Sequence, residues 1–125
     1  MPEIDAARLR MLAHHSVAVI RAGQAPSGGY VASPNFPVYR YSWFRDGAFI
    51  ADAMSRAGQI DSAEAFFGWC AGVLVDRRER IELLLERHRA LMWFRAIDFL
   101  PARYQLVGRD APGVWTHFLS CLFTS

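Results

Sequence analysis

Apolar positions recur at helical spacing in three stretches of the chain. In the first, Leu9, Leu12, Ala13, Ser16 and Ile20 share one face, and Ser16 is the stripe's single polar member. Pro2 stands at the start of this stretch, Glu3 and Asp5 fill its first turn, and Gly23 lies just past its end, so the pattern predicts an amphipathic helix over 3–22. Ile50, Ala53, Met54 and Ala57 predict a second helix over 46–57, closed by Gly58. Phe66, Trp69, Cys70 and Val73 then follow at spacings of 3, 4 and 7, the strongest core stripe in the sequence. An Arg/Glu-rich stretch continues it, with Ile81, Leu84, Leu85 and His88 on one face, which reads as a core-facing stripe. Helix is therefore predicted over 62–89, as one helix or two. Asp61-Ser62-Ala63-Glu64 has the form of a capping box at its start.

Between the first two helices the periodicity fails. Pro26, Gly28, Gly29, Pro34 and Pro37 forbid a regular helix, and Tyr30-Val31-Ala32 is a candidate short strand. This irregular loop over 24–44 is nevertheless rich in aromatics: Tyr30, Phe36, Tyr39, Tyr41, Trp43 and Phe44. Long loops of such composition are more often functional than disordered. Past Trp93 the pattern weakens again. Pro101, Gly108, Pro112 and Gly113 mark a loop, with 103–107 as a short extended piece. The stretch 115–125 is mostly apolar and carries no acid, an unusual ending for a finished domain.

Composition narrows the class. With 125 residues, 53% hydrophobic and 21% charged, the chain has enough apolar surface for one packed domain. All fourteen basic residues are arginine, and twelve acids leave a net charge of +2. That balance makes no electrostatic case for a nucleic-acid or membrane-surface partner. No apolar run is long enough for a transmembrane helix, and the acids near the start exclude a signal-peptide pattern. The expectation is a cytoplasmic chain in which Cys70 and Cys121 are reduced thiols. Those cysteines lack metal-type spacing. His14 and His15 are adjacent, so on a helix they point about 100° apart. No metal and no cofactor are expected.

Two clusters carry candidate chemistry. Glu79, Glu82 and Glu86 share a helical face, but they interleave with arginines and read as a solvated surface. The denser cluster is Tyr39-Arg40-Tyr41-Ser42-Trp43-Phe44-Arg45-Asp46-Gly47, an aromatic loop that delivers an Arg-Asp dipeptide to a helix N-terminus. Sugars are bound by this mixture. Aromatic faces cover the apolar faces of pyranose rings, arginine supplies fixed donors, and aspartate accepts from hydroxyls. The plainer reading is that Asp46 caps the helix while Arg45 pairs with it or covers an aromatic ring.

The run Ser33-Pro34-Asn35-Phe36-Pro37-Val38-Tyr39-Arg40-Tyr41-Ser42-Trp43-Phe44-Arg45-Asp46-Gly47-Ala48-Phe49 resembles glycoside hydrolase family 15, the glucoamylase, glucodextranase and bacterial trehalase-like group. The resemblance continues through Gly58, Ala63, Phe67 and Trp69, returns at Asp98-Phe99-Leu100-Pro101-Ala102-Arg103-Tyr104, and touches Trp115. The Tyr-x-Tyr-x-Trp-x-Arg-Asp block is its most specific part. The resemblance implies an all-α fold, part of an (α/α)6 toroid of the six-hairpin glycosidase type. This chain would supply three to four of its helices plus the aromatic loop. It further implies an inverting, exo-acting α-glucosidic hydrolase acting on an α-glucan or a glucose disaccharide. Arg45 and Asp46 would grip hydroxyls of the terminal glucose, Tyr39 and Trp43 would line the same subsite, and Trp115 would flank the cleft.

The same resemblance places both catalytic glutamates of the family downstream of this sequence. Residues 119–125 also depart from the family pattern, because Leu119-Ser120-Cys121-Leu122 stands where Gln-Leu-Asp-Gly is usual. The expectation is thus an N-terminal portion of a family 15 catalytic domain that holds sugar-contacting residues, has no catalytic residue of its own, and is inactive alone. Stripes such as Phe66, Trp69 and Val73 would then lie exposed and drive self-association. The competing reading is a small helical interaction module that docks on a partner through its apolar face.

Overall fold

The computed structural model describes residues 4–91 and 99–112. Four helices dominate it: α1 (Ala6–Ala22), α2 (Phe44–Arg56), α3 (Ile60–Val75) and α4 (Arg78–Arg89). Asp5 caps α1, its side chain accepting from the Ala7 amide at 3.0 Å. Gly58, at φ +79°, turns the chain sharply between α2 and α3. So short a connection folds the two helices back on each other as a hairpin. The loop between α1 and α2 carries a 3-10 turn (Pro37–Tyr39) and a two-residue strand, β1 (Ser42–Trp43). β1 pairs antiparallel with β2 (Arg103–Tyr104), with Ser42 opposite Tyr104 and Trp43 opposite Arg103.

The core lies where the α2–α3 hairpin meets the loop and β2. Tyr30, Met54, Phe66, Trp69, Val73 and Tyr104 are buried there around Ala51. Its rings form a continuous chain: Tyr30 on Phe66 at 5.2 Å, Phe66 on Trp69 at 5.7 Å, and Phe44 on Tyr104 at 5.3 Å. Gly47 of α2 admits the Phe66 ring, since a Cβ there would sit 2.2 Å from it. The loop is tied to α3 by polar contacts inside the apolar shell. Ser62 Oγ meets the Tyr30 hydroxyl at 2.6 Å and donates to Gln24 Oε1 at 2.7 Å. The Trp69 indole N–H donates to the Leu106 carbonyl at 2.9 Å. Arg77, in the break between α3 and α4, donates to the carbonyls of Val73 at 2.9 Å and Gly108 at 2.8 Å, and pairs with Asp110.

Several expectations change. α2 starts two residues earlier than the predicted 46, because Trp43 in extended conformation already occupies the cap position. The capping box at Asp61–Glu64 does not form. Gln59 is the cap residue, Asp61 lies inside the first turn and pairs with Arg21 at 2.8 Å, and Ser62 turns into the core. The stretch over 62–89 is two helices, parted at Asp76 and Arg77. Phe66, Trp69 and Val73 are not exposed, because the chain's own loop and β2 cover them. Exposed apolar side chains lie elsewhere, on α1 (Leu9, Met11, Leu12), on α2 (Phe49, 75%) and on α4 (Leu83, Leu85). Along the α1 stripe only Ile20 reaches the core margin, joined there by Val17. His88 is exposed rather than seated in a core stripe.

Candidate functional site

The aromatic loop closes on itself before entering α2. The amides of Ala32 and Ser33 donate to the carbonyls of Tyr41 and Tyr39 at 3.0 and 3.1 Å. The 3-10 turn leaves Tyr39 half exposed, whereas β-pairing draws Trp43 inward to 8% exposure. The two rings stand 6.3 Å apart, and Tyr41 meets Trp43 edge to face at 6.5 Å. These three rings form a shelf leading to the N-terminus of α2. Over the Tyr41 ring, the Arg103 guanidinium lies 4.5 Å from the centroid. An open groove of about 450 Å³ runs beside the shelf, lined by Pro37, Arg40 and Tyr41 from the loop and by Gln105, Leu106 and Val107 from the turn after β2.

Arg45 and Asp46 sit in the first turn of α2, directly after the shelf along the chain. Asp46 lies within that first turn, not at the cap, which Trp43 occupies, and this corrects the plainer reading of the residue. Its carboxylate still gains from the positive end of the helix dipole. Arg45 Nε approaches Asp46 Oδ1 only to 3.8 Å, and their side chains remain 52% and 42% exposed. Such a loose, exposed pair contributes little to stability and leaves donors and acceptors open to a ligand. Tyr39, Arg45 and Asp46 thus lie at least part-exposed around the start of α2, whereas Trp43, the cap residue between them, is buried. Trp115 lies outside the described residues, as does Cys121.

The remaining candidates are not part of this cluster. Glu79, Glu82 and Glu86 are exposed along α4. Cys70 is half buried, and burial pushes its thiol up to about 11, so it is a protonated packing residue at neutral pH. Among the described residues no group of three or more His, Cys, Asp or Glu could hold a metal ion. No helix among them is long and apolar enough to cross a membrane. Sequence reasoning missed Arg103 and Arg77. Arg77 sits among the arginines of an Arg/Glu-rich stretch and Arg103 within the Asp98–Tyr104 block, and the groups that each ties together lie distant along the chain.

The model of glycosyl hydrolases family 15 matches residues 6–89, which include the whole shelf and the Arg-Asp pair. The chain belongs to glycoside hydrolase family 15. An isomaltose glucohydrolase of Kribbella flavida is 39% identical over 124 residues, a match covering 91% of this chain and 30% of that protein. Solved structures of a wild-type glycosidase, and of a glutamate-to-alanine glycosidase in complex with glucose, each superpose with a TM-score of 0.83 at 38% identity. Each match covers 90% of this chain and 32% of the solved one. The family 15 chain described here therefore spans about a third of the length of the relatives it matches. Its four helices are a partial helical toroid.

Proposed function

We propose that this chain supplies the terminal-glucose-holding part of an exo-acting α-glucoside hydrolase, with isomaltose or a related glucose disaccharide as substrate. The observation that carries this reading is the open Arg45–Asp46 pair in the first turn of α2, directly after the Tyr39–Trp43 ring cluster along the chain. A pyranose has one less polar face and a rim of hydroxyls. The half-exposed Tyr39 ring, backed by the buried Trp43, offers an apolar surface for the first, and the pair offers charged donors and acceptors for the second. Membership of family 15 and the likeness to an isomaltose glucohydrolase support the choice of substrate class.

Inverting hydrolysis needs two carboxyl groups about 6.5–9.5 Å apart, one to protonate the leaving oxygen and one to activate water on the opposite face. Asp46 serves on this reading as a holder of hydroxyls, and the α4 glutamates are solvated, so the chain alone hydrolyses nothing. The experiment is to purify the 125-residue chain and assay it on isomaltose, maltose, trehalose and soluble starch. No turnover is expected on any of them. Specific activity that stays constant through successive purification steps would overturn this assignment and demand a catalytic pair within the chain.

A further inference from the structure

We infer that Arg103 is a positioning residue for the sugar-binding shelf, acting through Tyr41. The inference rests on the proposed function for its consequence, but its geometry stands on separate contacts. Arg103 is only 9% exposed. A buried guanidinium must be held by specific partners, because its charge is costly to remove from water. Its strand register places it opposite Trp43, within the shelf itself. Its guanidinium covers the Tyr41 ring at 4.5 Å, and Nη2 donates to the Pro112 carbonyl at 2.8 Å. Tyr41 then contacts Trp43, and Trp43 contacts Tyr39. One residue thereby fixes the shelf's strand, the ring at one end of the shelf, and the Pro112 backbone.

Arginine suits this role for a geometric reason. A planar guanidinium can stack on a ring face while donating within its own plane, and it does so without deprotonating. A lysine ammonium keeps the charge but has no plane with which to hold the ring's orientation. Arg103→Lys therefore separates positioning from charge. Loss of the stack should leave Tyr41 free to rotate, and the Trp43–Tyr39 arrangement should loosen with it.

The test uses the full 125-residue chain, isotope-labelled, as wild type, Arg103→Lys and Arg103→Met. Ring-to-ring nuclear Overhauser effects report the Tyr41–Trp43 and Tyr39–Trp43 distances, and an isomaltose titration reports affinity. Arg103→Lys is expected to keep the helical circular dichroism of the wild type. Both sets of ring contacts should weaken, and isomaltose should bind roughly three- to tenfold less tightly, the scale of one lost cation–π contact. If Arg103→Met fails to fold, Arg103→Lys decides alone. Wild-type ring contacts together with wild-type affinity in Arg103→Lys would overturn the inference. Should the wild type itself not bind isomaltose, the sugar-holding reading fails separately. The Tyr39–Trp43 contact in Arg103→Lys then decides: weakened supports positioning, unchanged refutes it.

Discussion

At the scale of single residues, the chain's glycines divide by what faces them. In Gly47→Ala the new methyl would meet the Phe66 ring at 2.2 Å. Alanine gains about 1 kcal/mol in helix propensity, but overpacking a core costs about 1–3 kcal/mol. The clash should win, and urea denaturation should show net destabilisation. Gly68 and Gly72 on α3 have no atom within 4 Å of a built Cβ. Alanine at either should raise stability by about 0.5–1 kcal/mol. The core also buries the Tyr104 hydroxyl without a hydrogen-bond partner among the described residues, and that burial raises its pKa. Tyr104→Phe should leave stability equal or raise it by about 1 kcal/mol, read as a thermal midpoint. In alkali the signs follow from the raised values. Tyr104 and Cys70 bind their protons more tightly folded than unfolded, so their contribution is complete at neutral pH. It fades as pH rises from the unfolded values toward the folded ones, about 11 for Cys70. Cys70→Ser should flatten that alkaline loss.

At the scale of elements, the sequence told its helices well and its tertiary ties poorly. The stripe at Phe66, Trp69 and Val73 was legible because burial repeats with the helical period. The β1–β2 pair was not, since two residues each, separated by sixty positions, carry no period to read. Tyr39, Trp43, Arg45 and Asp46 stand out in the sequence as site candidates because they crowd into eight consecutive positions. Arg77 and Arg103 escaped because their partners lie elsewhere in the chain. Arg77 shows what such a tie is worth. It donates to two carbonyls and to Asp110 while covering the Tyr104 ring at 4.6 Å. Arg77→Met strands the two carbonyls, at about 1–3 kcal/mol for each that stays buried. Asp110→Asn removes only a half-exposed charge and should cost about 1 kcal/mol or less. Urea midpoints of the two variants test that order. The tie between α1 and α3 behaves differently with pH. Arg21 holds the Asp61 carboxyl below its usual value, so this contribution is present above that value and is lost as pH falls through the folded one. Asp61→Asn should remove that acid dependence from the melting curve.

At the scale of the whole molecule, the packing is uneven. The hairpin, the loop and β2 enclose a full aromatic core, while α1 and α4 contribute no fully buried residue. Phe49 at 75% exposure, with Leu12 at 60%, shows apolar side chains open to water on faces that no described residue covers. Such faces promote association, so sedimentation velocity of the chain alone should show oligomers growing with concentration. A concentration-independent monomer would mean that these side chains are tolerated singly. The central claim is that Arg45 and Asp46, directly after the aromatic shelf along the chain, hold the terminal glucose of an α-glucoside. The most direct measurement builds this chain into the Kribbella flavida isomaltose glucohydrolase, in place of its matching segment, and compares isomaltose hydrolysis with and without Asp46→Asn. Removing the charged acceptor should cost about 1.5–3 kcal/mol of transition-state binding, so kcat/KM should fall roughly ten- to a hundredfold in an otherwise active chimera. An active chimera whose kcat/KM is untouched by Asp46→Asn would contradict the account, leaving Asp46 a first-turn helix residue and nothing more.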